Sequence, residues 1–191
     1  MNKQELRSLI KSRKKQYTAD KLEQFSLSAV TLLEKLEPYK KARTFLLYNS
    51  LPDEVDTKRL LDHIWNQGDN KRTILLPKVV ENDLEVRIYK GPDSLAEGAF
   101  HIMEPTGPLF TDYASIDIAI IPAMAYDASG HRLGRGRGYY DRLIPSLQCP
   151  LIGLCFDFQL IMDIPTEPHD CSVDYVITNQ QAISVSTSAK Q

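Results

Sequence analysis

The chain has 191 residues, a length that suits one domain better than two. Its 42% hydrophobic content supplies a sizeable core. The 23 Lys+Arg against 25 Asp+Glu leave a net charge of −2, so bulk charge advertises neither a nucleic-acid nor a membrane partner. The longest apolar run, Ile118 to Tyr126, contains Pro122 and is far short of the ~20 residues that a membrane span needs. The opening MNKQELRSLIKSRKK has no apolar core for a secretory signal, and a cytoplasmic protein is expected. Cys149, Cys155 and Cys171 form neither a disulfide framework nor a metal knuckle, which fits a reducing compartment. His63, His101, His131 and His169 are spaced too widely for a zinc helix.

In chain order, a first helix is expected from Lys3 to Tyr17, with Leu6, Leu9, Ile10 and Tyr17 on its apolar stripe and Lys3 and Arg7 on another side. A second helix starts near Asp20, a plausible N-cap, and Pro38 closes it. Thr44 to Tyr48 reads as a buried strand. A helix follows from Asp56 to Gln67, stopped by Gly68. Arg72 to Val80 and Leu84 to Lys90 read as a hairpin broken at Glu81-Asn82-Asp83. Gly91 to Ser115 reads as an irregular connection. Ile116 to Ala125, the most apolar segment, should be the central strand; Tyr139 to Leu147 is helical, and Leu151 to Cys155 and Asp174 to Thr178 are strands. The alternation implies a single α/β domain over residues 1–179: a mostly parallel sheet with helices on both faces and a small hairpin element. Residues 180–191 read as a polar, frayed tail.

Chemistry concentrates between Gly130 and Asp141. Gly134, Gly136 and Gly138 alternate with Arg135 and Arg137, between the most apolar strand and a helix. The glycines open backbone conformations closed to other residues, and consecutive N–H groups can then cradle an anion. Arg132, Arg135 and Arg137 add forked donors suited to phosphate. No GK[ST] follows, so this is no P-loop, and the third glycine of a dinucleotide fingerprint would fall at Tyr139. A flexible basic turn and an RNA contact through the Arg/Gly run are the competing readings. Asp141 could hold Mg²⁺ with substrate phosphates or stabilise the first helical turn. Asp53, Glu54 and Asp56 follow the first strand at its carboxyl end, where sites form, with capping of the next helix as the competing role for one of them. His169-Asp170 and Glu104-Pro105 have turn geometry as their default role, and Lys3/Arg7 a solvated helix face.

The GRGRGYYDR run, the Lys3/Arg7 pair, Leu51-Pro52-Asp53-Glu54-Val55-Asp56-Thr57, Glu104-Pro105 and His169-Asp170…Val173-Asp174 together resemble the 5-formyltetrahydrofolate cyclo-ligase family, from Lys3 to about Thr178. The resemblance implies ATP- and Mg²⁺-dependent conversion of 5-formyltetrahydrofolate to 5,10-methenyltetrahydrofolate, ADP and phosphate, through phosphorylation of the formyl oxygen and ring closure by N10. It implies that Lys3, Arg7 and the loop Arg132, Leu133, Gly134, Arg135, Gly136, Arg137, Gly138, Tyr139 and Tyr140 bind ATP. Asn49, Glu54 and Arg135 to Tyr139 would line the folate side, and Asp141 and Asp174 would hold Mg²⁺. Phe100 and His101 stand where the family often has Trp or Gly, at the pterin side. The implied partners are ATP and the folate, without membrane or nucleic acid, in a monomer or small homo-oligomer. A non-catalytic folate-, nucleotide- or RNA-binding relative is the alternative. A sugar-phosphate isomerase or CoA-transferase on a similar scaffold would depend on a catalytic carboxylate rather than on a basic glycine loop.

Overall fold

The computed structural model describes residues 1–66, 72–98 and 103–185. Strands β1 (Thr44–Leu46), β2 (Thr73–Val80), β3 (Asp83–Ile88), β6 (Ile118–Ile121), β9 (Leu151–Leu154), β10 (Tyr175–Ile177) and β11 (Ala182–Ser184) form one sheet in the order β11-β10-β9-β6-β1-β2-β3. The five inner strands run parallel, and the edge strands β3 and β11 are antiparallel to their neighbours. β6 is the middle strand, as its apolar run requires, and all four of its residues are buried.

Side chains alternate between the two faces because the strand repeat is two residues. Phe45, Ile118, Ile120, Ile152 and Leu154 join one core cluster, covered by α2 (Ala19–Leu33), α3 (Glu37–Lys41) and α4 (Lys58–Asn66) through Ala29, Leu33, Tyr39, Leu60 and Ile64. Leu46, Leu75, Ala119, Ile121 and Val176 face the other way, against Leu143 of α5 (Tyr139–Leu143) and Ile144 of the 3₁₀ turn that follows it. Each fully buried Leu or Ile contributes roughly 1.5–3 kcal/mol. In a third cluster, Leu6 and Ile10 of α1 (Lys3–Lys14) pack on Met124, Ala125, Leu133 and Ile164. No described helix is long and apolar enough to cross a membrane.

Several boundaries differ from the sequence expectation. The α1 helix ends at Lys14 rather than Tyr17. Thr18, not Asp20, caps α2, accepting the Lys21 N–H, while Asp20 sits in the first turn, where the helix dipole favours a carboxylate. Pro38 does not close α2; it opens α3, where its missing N–H is no loss. The stretch expected to be irregular contains a hairpin of β4 (Leu95–Glu97) and β5 (Met103–Pro105). A second small hairpin pairs β7 (Ala125–Tyr126) with β8 (Arg132–Leu133). Glu81 begins the β2–β3 turn at φ 54°, an uncommon conformation for a side-chain-bearing residue. The tail expected to fray from Gln180 first makes β11, because β10 leaves an open edge that Ala182–Ser184 pairs with. Gly68, Phe100 and His101 lie outside the described residues.

Candidate active site

From β1 the sheet is built outward in both directions, through β2 on one side and through β6, β9 and β10 on the other. In open α/β sheets a crevice forms at the carboxyl ends of the strands where the strand order reverses in this way. A cavity of about 900 Å³ lies there, with Tyr48 and Asn49 following β1 and Pro122 and Ala123 following β6. Its volume falls within the ~300–1,000 Å³ of small-molecule sites.

The glycine loop forms one wall. Asp127 fixes the β7–β8 turn that leads into it: its Oδ1 accepts the N–H groups of Ser129 and His131 at 2.9 and 3.0 Å. Gly136 and Gly138 take φ values of 97° and 70°, where an L side chain is strained. The turned backbone is braced from outside. Arg7 Nε donates to the Gly134 carbonyl at 2.9 Å, and Arg142 Nη1 donates to the Arg137 carbonyl at 3.3 Å. Arg142 also pairs with Asp83 at 2.7 Å and lies over the Tyr139 ring, tying the loop to the β2–β3 hairpin. The Arg/Gly run is therefore part of a cavity wall rather than an open basic arm.

Helix α1 contributes Lys3 and Arg7. Asn2 starts the helix with a capping box closed by Glu5, and burial of Leu6 and Ile10 sets the rotation that turns Lys3 and Arg7 to the cavity. Lys3 Nζ lies 2.6 Å from Asp170 and 3.5 Å from Glu167. Burial disfavours the Lys3 charge, but these carboxylates more than compensate and its pKa is raised. Burial likewise opposes ionisation of Asp170, while Lys3 and the Glu167 N–H pull its pKa below the usual range. Glu167, His169 and Asp170 bring potential ligand atoms within 4.8 Å of one another beside this lysine.

Two further arginines are held by carboxylates. Arg132, its side chain only 5% exposed, pairs with Asp141 at 2.5 Å, while its buried Nε has no acceptor among the described residues. Arg135 reaches Asp53 at 2.6 Å and Glu54 at 3.1 Å. Burial raises the Glu54 pKa, against the opposing pull of the Leu51 N–H and Arg135. On the less charged side, Pro77, Val79, Leu84 and Met103 line the cavity. There Asn49 Nδ2 donates to the Met103 carbonyl at 2.9 Å, and Glu104 accepts the Val79 N–H at 3.1 Å.

Lys3, Arg7, Asn49, Glu54, Arg132, Gly134 to Tyr140 and Asp141 all line this one cavity. Leu133 and Asp174 do not. Leu133 is fully buried in β8, its carbonyl accepting the Met124 N–H. Asp174 precedes β10 and accepts the Leu151 N–H at 2.8 Å, at the amino end of β9. The expected pairing of Asp141 with Asp174 is thus not found in the lining. Among the acidic residues after β1, Asp56 is the one that caps the next helix, accepting the Lys58 N–H, while Asp53 and Glu54 face Arg135. Tyr48, Glu167 and the bracing role of Arg142 had no sequence signal. Tyr48 reads as the last apolar position of a strand, and the other two depend on contacts far apart in the chain.

A sequence profile of the 5-formyltetrahydrofolate cyclo-ligase family matches residues 1–179. The chain is 26% identical over 175 residues to the 5-formyltetrahydrofolate cyclo-ligase of Escherichia coli, covering 89% of this chain and 96% of that protein. It is 33% identical over 152 residues to the enzyme of that name from Mycolicibacterium smegmatis, covering 74% and 76%. The fold superposes on the 5,10-methenyltetrahydrofolate synthetase of Aquifex aeolicus with a TM-score of 0.85 and 29% identity, covering 97% of this chain and 93% of that one. The glycine loop, the cations around it and these full-length similarities agree, and the chain is an enzyme of the 5-formyltetrahydrofolate cyclo-ligase family.

Proposed function

We propose that the enzyme uses ATP to close 5-formyltetrahydrofolate to 5,10-methenyltetrahydrofolate, releasing ADP and phosphate. The observation that carries this reading is the convergence of Lys3, Arg7, Arg132 and a glycine loop with positive φ angles on one side of a cavity whose other side is largely apolar. The charged side suits a polyphosphate, and the apolar side a flat heterocycle.

The chemistry needs such a division. A formamide oxygen is a poor leaving group. Transfer of the γ-phosphoryl group to that oxygen releases ADP and makes the formyl carbon electrophilic. N10 of the same molecule then attacks this carbon and gains from proximity. Loss of phosphate and of the N10 proton completes the ring. In phosphoryl transfer the protein mainly orients groups and offsets charge. Lys3, Arg7, Arg132 and the loop amides serve that role, and Glu54 and Asn49 orient the folate. Asp141, a hard oxygen donor lining the cavity beside Arg132, fits Mg²⁺, which when bound would neutralise phosphate charge. Phosphate entering the site competes with Asp141 for Arg132 and with Asp170 for Lys3. No nucleophilic side chain is required: burial raises the Cys149 thiol to about 11 and pushes Cys155 higher still, which keeps both protonated at neutral pH.

The test is formation of the methenyl chromophore from 5-formyltetrahydrofolate by purified protein, with ATP and Mg²⁺ each omitted in turn. Product only when both are present supports the reading. Product without ATP, or none with it, contradicts it.

A further inference from the structure

Tyr48 follows β1 and lines the cavity, yet only 3% of it is exposed and its hydroxyl has no hydrogen-bond partner among the described residues. A buried, unsatisfied hydroxyl is costly, and native proteins tolerate few. We propose that Tyr48 Oη donates a hydrogen bond to the bound folate, to an acceptor on the polar edge of its fused heterocycle, and so helps to select that substrate. This rests on the reading of the cavity given above.

Three features favour the heterocycle over the nucleotide phosphates. The titratable groups that act on the hydroxyl are Glu54, Tyr126, Tyr140 and Cys155, none of them cationic and one of them an acid, which disfavours a phosphate against the hydroxyl itself. The neighbouring Tyr126 is already satisfied, donating to the Ile121 carbonyl at 2.6 Å, which leaves Tyr48 as the free donor of the two. Burial, reinforced by Glu54, holds the Tyr48 hydroxyl well above its ordinary pKa, so it remains a donor at working pH. A neutral acceptor with a ring face to lay against apolar side chains suits this position.

The test compares Tyr48→Phe with wild type by steady-state kinetics in both substrates and by thermal unfolding of the ligand-free protein. The ring is kept, so the core cluster around it stays filled. We expect KM for 5-formyltetrahydrofolate to rise roughly tenfold, with KM for ATP unchanged and the ligand-free Tm unchanged or higher. An unchanged folate KM overturns the inference, as does a rise in KM for ATP instead. A lower ligand-free Tm also overturns it, since the hydroxyl would then have a partner within the protein. Wild-type protein that forms no methenyl product removes the reading on which the inference rests; active wild type with an unaltered variant removes the inference alone.

Discussion

Lys3 Nζ lies 2.6 Å from a carboxylate oxygen of Asp170, a residue 167 positions later in the chain. The contact joins the first helix to the loop before β10 at the mouth of the cavity. It also means that the lysine assigned to phosphate is held in place before phosphate arrives. On the reading proposed above, phosphate would displace this carboxylate from Lys3.

Lys3→Ala should lower kcat/KM for ATP by roughly 1–3 kcal/mol, the scale of a lost charged hydrogen bond. The folate KM at saturating ATP should change little. Because the lysine side chain is only partly covered, unfolding free energy should fall by no more than about 1 kcal/mol. Lys3→Arg should restore part of the ATP effect. Initial rates with each substrate varied, together with urea unfolding, check both statements.

Glu54 gives a pH dependence of definite sign. Burial raises its folded pKa above the unfolded value of about 4.3. The folded state then binds the proton more tightly, so this group's contribution to stability is full below that unfolded value and is lost as pH rises through the folded one. Unfolding free energies of wild type and Glu54→Gln should therefore diverge, with wild type losing ground to the variant as pH rises from about 4 through the folded pKa. A difference that grows in favour of wild type with pH would mean that Arg135 outweighs burial. The Lys3–Asp170 pair behaves oppositely at its acid end: the lowered Asp170 pKa contributes stability above about pH 4 that is lost as pH falls through the folded value.

Two glycines separate function from stability. Gly138 has φ 70°, and a Cβ there would stand 2.7 Å from Arg142 Nη1, the far end of a flexible side chain. Gly138→Ala should mainly disturb the loop, raising KM for ATP, with a backbone penalty of roughly 1–2 kcal/mol. A Cβ on Gly153, in mid-strand, would meet the ring of fully buried Tyr126 at 2.5 Å. Gly153→Ala should cost about 1–3 kcal/mol of stability by overpacking and leave KM values near wild type in the folded fraction. Thermal unfolding and ATP kinetics of both variants check the contrast.

Much of the sheet was legible because its strands are short apolar runs bounded by polar residues or proline; Ile118–Ile121, with all four residues buried, is the plainest case. The glycine loop was legible because its residue types carry their chemistry locally. The β4–β5 hairpin was not: it is tied to a partner outside the segment, Glu104 accepting the Val79 N–H of β2. Thr18 and Asp20 both make acceptable caps, and only the path of the chain decides between them. The carboxylates that pair with Arg135 of the loop are Asp53 and Glu54, about 80 residues earlier, a pairing that no local pattern encodes. Asp174 shows the converse: a motif position can be read from sequence while its place relative to the cavity cannot.

The central claim is that the Gly134–Gly138 loop, with Lys3 and Arg7, grips the phosphates of ATP. A crystal structure of the complex with Mg²⁺ and a non-hydrolysable ATP analogue tests it most directly. The phosphates should accept hydrogen bonds from the loop amides and contact Lys3, with the Lys3–Asp170 and Arg132–Asp141 pairs opened or rearranged. Phosphates bound elsewhere, with those pairs intact and the loop untouched, would contradict the account.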